Sequence, residues 1–282
     1  MAAAWLYGMH EDDIPLSSDS DMGEACASGG GIAPDQPRSI LDEHACITYF
    51  ADGATAPSVA AVARGAAAPP LARTHTQYAV RLRLDMSAGC GGTIWPAAEV
   101  LGAYIASMPQ RHAPRRAPDS ALDGHPWRHK TVVELGSGTG LLGFFVAKIG
   151  CRCATWITDQ GPMLPLMHEN LALNPDCVDA CHVEELNWGE PLSARVPAHP
   201  DVLLLADCVY RESAFQPLVD TMCMMATRTT EILFCYHKRR RADKQFFALL
   251  KKHFCWDDVD DDDAVRRIAY NRDGTHLYRM WG

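Results

Sequence analysis

The chain has 282 residues, 48% hydrophobic and 22% charged, enough apolar side chains for one large α/β core or two small ones. Its net charge of −9 argues against a protein built to hold nucleic acid or anionic lipid, because phosphate binding relies on basic surface. No apolar run approaches the roughly 18 residues of a membrane helix, and Glu11, Asp12 and Asp13 come too early for a secretory leader, so a cytoplasmic protein with no membrane or nucleic-acid partner is the expectation.

Residues 1–70 are acidic, then rich in Ala, Gly and Pro, with little amphipathic period; they read as a mobile N-terminal extension with a few docked residues, leaving 71–282 as the folded domain. Gln77 to Asp85 alternates as a strand, with Tyr78, Val80, Leu82 and Leu84 on one side. From Trp95 onward, Ala97, Val100, Leu101, Tyr104 and Ile105 share one helical face. Met108 to Trp127, with four prolines, is predicted to be a surface loop. Strands at 131–135, 154–158, 179–184, 201–206 and 230–236 then alternate with helices at 140–149, 162–173, 214–226 and 242–253, with only the third and fourth strands following one another directly. That order means a largely parallel sheet with helices on both faces. Ser213 to Gln216 has capping-box spacing for the helix at 214–226. The closing segments, 256–260 and 276–281, are predicted to form an antiparallel hairpin edge with no crossover helix, and the acidic run from Asp257 to Asp263 its solvated turn.

Eleven cysteines, an odd number with no CxxC pair, read as buried thiols such as Cys208 and Cys235 in a reducing compartment. Cys151, Cys153, Cys177 and Cys181 make no convincing zinc set, and no metal is expected. Met222, Met224 and Met225 read as core filler.

The most informative stretch is Val132 to Gly143, a buried strand that turns on glycines into a helix with Glu134 just before the turn. Glycine permits positive φ there and lets backbone amides approach a polar ligand. Gly138-x-Gly140-x-x-Gly143 also satisfies the dinucleotide fingerprint, with Asp159 about 20 residues on. Three features favour S-adenosylmethionine over a dinucleotide: Glu134 ahead of an extra glycine, Asp159 closing the second strand, and Asp207 closing a later strand with Tyr210 three residues on.

With these motifs in order, and with Gly91 to Ala98, Glu169 to Asn174, Leu186 to Gly189 and Ala206 to Tyr210 beside them, the chain resembles the seven-strand methyltransferases of family 16. These are chiefly protein-lysine methyltransferases, and the likeness runs from about Tyr78 to the C-terminus. It implies a class I, Rossmann-like α/β fold with helices on both faces of the sheet, S-adenosylmethionine as cofactor, and a protein substrate that presents a lysine. It further implies that Gly136, Ser137 and Gly138 approach the methionine part and that Asp159 holds the ribose. Trp188 would pack on the adenine, Glu134 would support the cofactor site, and Trp95 and Ala206 would line the pocket. Asp207 and Tyr210 match the family's Asp-x-x-Tyr motif at the acceptor entrance. Lys238 to Lys244 is similar to the fungal branch that methylates elongation factor 1-alpha, and a monomer is expected.

A lysine amine, with a reference pKa of about 10.4, must shed a proton before it attacks a methyl group. An apolar channel disfavours the ammonium, and Asp207 is a candidate to orient the amine and relay protons through water. Each assignment has a plainer competitor. Glu134 could tie the turn together, Asp159 could cap a helix, and Trp95 and Trp188 could be packing residues. Asp207 with Tyr210 could be a strand-end cap beside a buried ring. His237 to Arg241 reads first as a solvated helix start. The rival functions are a small-molecule N-methyltransferase and a non-catalytic module that keeps the cofactor fold.

Overall fold

The computed structural model describes residues 42–50, 77–112, 125–149, 152–239, 243–261 and 263–282. A seven-stranded sheet runs in the order β5-β4-β3-β6-β7-β9-β8. Its strands are β3 (Thr131–Leu135), β4 (Ala154–Asp159), β5 (Cys181–Glu185), β6 (Val202–Ala206), β7 (Glu231–His237), β8 (Cys255–Asp258) and β9 (Thr275–Trp281). β9 lies antiparallel to both neighbours, and the remaining pairs are parallel. β3 and β6 are apolar and buried nearly throughout, as central strands covered on both faces must be.

One face carries α1 (Pro96–His112), α2 (Leu141–Lys148) and α3 (Leu164–Leu173), the other α4 (Phe215–Met225) and α5 (Asp243–Leu250). α2 is apolar almost all round: Leu141, Leu142, Phe144, Phe145 and Val146 are buried. It can be so because a separate hairpin of β1 (Glu43–Phe50) and β2 (Gln77–Leu84) covers its outer side, with Tyr49 and Tyr78 packed on Phe145.

Two asparagines fasten this hairpin. The Asn170 carboxamide accepts from the Arg83 amide (2.6 Å) and donates to the Arg83 carbonyl (3.1 Å). Asn174, one turn later on the chain, does the same to Arg81 at 3.1 and 2.7 Å. Residues 81 and 83 present their backbone groups on the same edge of β2, and the four-residue spacing of the asparagines matches that repeat. The carboxamides thereby pair backbone groups on the side of β2 away from β1. The Arg83 side chain adds ion pairs to Asp42, Asp85 and Glu169.

β3 passes into α2 through Gly136 to Gly140. The N-cap of α2 is Gly140, which has no side chain to offer, and the buried Glu134 substitutes for it: its Oε2 accepts from the Gly143 amide at 3.0 Å. Glu134 therefore does tie the turn together. A helix N-terminus favours the carboxylate, but burial outweighs this and lifts the Glu134 carboxyl to about 8.

Several expectations are corrected. Glu43–Phe50 lies within the expected mobile extension and is a strand; the other residues of 1–70, apart from Asp42, lie outside the described residues. α1 continues to His112, and Trp127 is fully buried with its indole donating to Glu231 at 2.8 Å, so both ends of the expected 108–127 loop are ordered structure. Between β8 and β9 stands α6 (Ala264–Arg272), a connecting helix where a turn was expected. Asp261 in the acidic run is buried against Arg266, and Asp263 caps α6 through the Arg266 amide. The Ser213 capping box does not form: α4 follows a 3-10 turn without a side-chain cap, and Gln216 bonds Asp220 instead. Met222 and Met225 are core residues, whereas Met224 is exposed.

Two outcomes follow from these bonds. Asn174→Ala, which frees both Arg81 backbone groups, should lower unfolding free energy by about 1–2 kcal/mol in urea titrations; unchanged stability would contradict the clamp. Glu134, with its folded-state value raised from 4.5 to about 8, contributes stability that is complete below the lower value and is lost as pH rises through the higher. Glu134→Gln should flatten that part of the stability profile, and a variant retaining the wild-type slope would refute the protonation change.

Candidate active site

The sheet's carboxyl edge, beside the turn after β3, bears a cavity of about 300 Å³. All ten side chains or glycines expected at a site line it: Trp95, Glu134, Gly136, Ser137, Gly138, Asp159, Trp188, Ala206, Asp207 and Tyr210. They come from five places along the chain: the parallel sheet unites four of them because β3, β4, β5 and β6 all end on this side, and Trp95 is supplied from just ahead of α1.

The glycine turn is shaped by close approach. Gly138 has φ of 56°, and a Cβ there would stand 2.5 Å from the Gly91 carbonyl oxygen. Gly136 has φ of 66°, and its Cβ would meet the Trp188 ring at 2.8 Å. Ser137 stitches the turn to β4: its amide donates to Thr158 O at 3.0 Å while its hydroxyl oxygen accepts from Thr158 N at 3.0 Å. Asp159 accepts from the Gly138 amide through one oxygen and from the Gln160 amide through the other, both at 2.8 Å. Burial raises its carboxyl despite these bonds.

This geometry separates the two cofactor readings. A pyrophosphate would need the free amides of the turn and of the helix N-terminus. Here the Gly138 amide is bonded by Asp159 and the Gly143 amide by Glu134. A sulfonium nucleoside suits the turn: Asp159 retains acceptor capacity for ribose hydroxyls, the glycines leave room for the chain of the ligand, and Leu186, Trp188 and Ala206 offer an apolar wall.

At the other end, Asp207 follows β6 in the left-handed region with φ of 62°. Such a conformation is uncommon outside glycine, though Asp tolerates it better than most. Its amide donates to Cys235 O at 2.8 Å, and its Oδ1 accepts from His237 N at 3.2 Å. Both carboxylate oxygens are also bonded by Arg239. Tyr210 is half-buried, its hydroxyl is hydrogen-bonded with the Cys90 thiol, and burial pushes the phenol well above its ordinary value. The Trp95 indole donates to Cys90 O at 3.0 Å, and its ring lies beneath the Arg239 guanidinium at 5.0 Å.

Arg239 is the residue that sequence reasoning missed. The basic cluster from His237 onward reads as a solvated helix start, yet the Arg239 side chain is 12% exposed and lines the cavity. The signal for it was a carboxylate, Asp207, at the end of one strand and a cationic cluster at the end of another. The 3-10 turn Cys90–Gly92, which places Gly91 over Gly138, also went unrecognised as part of the wall. Among the described residues no group of three or more His, Cys, Asp or Glu side chains is arranged to hold a metal, and no helix is long and apolar enough to cross a membrane.

Comparison with known proteins agrees with this chemistry. The family model described as lysine methyltransferase matches residues 74–253. The yeast Saccharomyces cerevisiae protein-lysine N-methyltransferase EFM6 is 34% identical over 208 residues, covering 68% of this chain and 81% of that protein. The mouse protein N-lysine methyltransferase METTL21A is 28% identical, covering 74% of this chain and 87% of its own length. With this match laid over a cavity whose glycine turn suits a sulfonium nucleoside, the chain belongs to the lysine methyltransferase family, enzymes of the class I seven-strand fold that take S-adenosylmethionine as methyl donor.

Proposed function

We propose that this protein methylates a lysine side chain of a cytosolic protein, with elongation factor 1-alpha as the target, and that it works as a monomer. One observation carries the reading: a single cavity joins the glycine cradle to the Asp207, Tyr210 and Trp95 end and reaches exposed residues at Ala88, Gln160 and Arg211. A pocket that meets the surface suits a side chain delivered by another protein better than it suits a small molecule that must be enclosed. The names of the yeast and mouse relatives support a protein acceptor. The choice of elongation factor 1-alpha rests on the sequence likeness around Lys238 to Lys244.

In this reading Gly136, Ser137 and Gly138 cradle the methionine part, Asp159 binds the ribose, and Trp188 faces the adenine, while Glu134 supports the site by holding the turn. Trp95 and Ala206 wall the pocket. When bound, S-adenosylmethionine supplies an electrophilic methyl on a leaving group that needs no acid. The residues of this chain then have two tasks, to align the amine and to exclude water from it, and alignment is the larger source of rate. Asp207 and Tyr210 frame the acceptor end. With both oxygens on Arg239, Asp207 orients and polarises; it is not a free proton acceptor.

Mass spectrometry of proteomes from cells with and without the protein tests this. The expected result is loss of one lysine methylation on elongation factor 1-alpha. Loss on a different protein would retain the activity and replace the target, and extracts in which labelled methyl groups enter only small metabolites would remove the protein-lysine reading.

A further inference from the structure

Asp207 and Arg239 stand on the ends of adjacent parallel strands, one just after β6 and the other two residues beyond β7. Guanidinium nitrogens meet both carboxylate oxygens at 2.5 Å, and the side chains are 2% and 12% exposed. The Arg239 amide is itself held by Asp243 at 3.0 Å, and the guanidinium lies over Trp95. The pair is thus built into the sheet edge at the place where an acceptor nitrogen must arrive.

We infer that Arg239 is a positioning residue that cancels the Asp207 carboxylate, so that the acceptor end of the cavity receives lysine as a neutral amine and not as an ammonium. This rests on the lysine reading of the site. An uncompensated carboxylate within about 4–6 Å of a lysine stabilises its charged form by about 1–3 pH units, which works against attack. A guanidinium that stays protonated at every relevant pH removes that bias. Among the described residues, the other ionisable groups at this end are Tyr210 and Cys90, bonded to each other, Arg211 at the rim, and, behind the pair, Asp243 on the Arg239 amide and His237, whose amide bonds Asp207. Glu134 and Asp159 face the cavity from the cofactor side. In the transfer, the proton leaves the ammonium for water, and the nitrogen lone pair forms the N–C bond as the C–S bond breaks, its electron pair remaining on sulfur.

The test is the pH dependence of methyl incorporation into protein lysines, with labelled S-adenosylmethionine and an extract from cells lacking this protein as acceptor. Arg239→Gln should move the midpoint up by about 1 pH unit, a loss of about tenfold near neutrality that is recovered at high pH. Asp207→Asn, which leaves the guanidinium uncompensated, should move it down. The double variant, again neutral, should return close to wild type, and Arg239→Lys should keep the midpoint even at reduced rate. A second readout needs no turnover: n-butylammonium binding to enzyme loaded with adenosylhomocysteine, followed by NMR at neutral pH, should be tighter in Arg239→Gln and weaker in Asp207→Asn.

Coincident midpoints in all variants, or an Arg239→Gln loss by one constant factor at every pH, would overturn the inference. If Arg239→Gln does not fold, the opposed behaviour of Asp207→Asn and the double variant still decides. Wild-type enzyme that labels no protein lysine would instead overturn the underlying lysine reading.

Discussion

Two carboxylates grip one turn. Asp159 bonds the Gly138 amide and Glu134 bonds the Gly143 amide, so two backbone donors that a phosphate-binding turn would present outward are engaged by the protein itself. The turn keeps its glycine geometry but loses these donors as phosphate ligands, which suits it to a nucleoside held through its hydroxyls. Everything downstream depends on that grip. The walls of the cavity, from Trp188 packed on Gly136 to Gly91 packed on Gly138, are placed by contact with the turn.

The hairpin outside the main sheet belongs to the same construction. Asn170, which holds Arg83, also donates to the Thr139 carbonyl at 3.0 Å inside the turn. β2 runs on into the segment that carries Gly91 and Gly92, and the Asp85 amide donates to Gly92 O at 2.9 Å. One buried side chain therefore connects the hairpin, α3 and the cofactor turn. The β1–β2 unit covers α2 and at the same time anchors the strand that delivers the cavity's upper wall.

Much of this was legible in the sequence because it is written in local pattern. Val132 to Gly143 combines an apolar run, a carboxylate and spaced glycines, and a strand-turn-helix follows from those residues alone. The ten expected residues that line the cavity were recoverable because each belongs to a recognisable motif, nine of them at or just past a strand end and Trp95 just ahead of α1. The misses are cases where a distant partner decides. Glu43–Phe50 is a strand because it pairs with Gln77–Leu84, a segment far along the chain. α6 leaves Val265 and Ile268 exposed and buries only Tyr270 fully, so it shows no core-facing apolar stripe. Arg239 looks like its charged neighbours until the sheet brings Asp207 beside it.

The most direct measurement is a crystal structure of the protein with adenosylhomocysteine. The account predicts ribose hydroxyls on Asp159, the adenine against Trp188, and the sulfur directed toward Asp207 and Tyr210. A nucleoside bound away from the glycine turn, or seated there with its sulfur turned from that end, would contradict it.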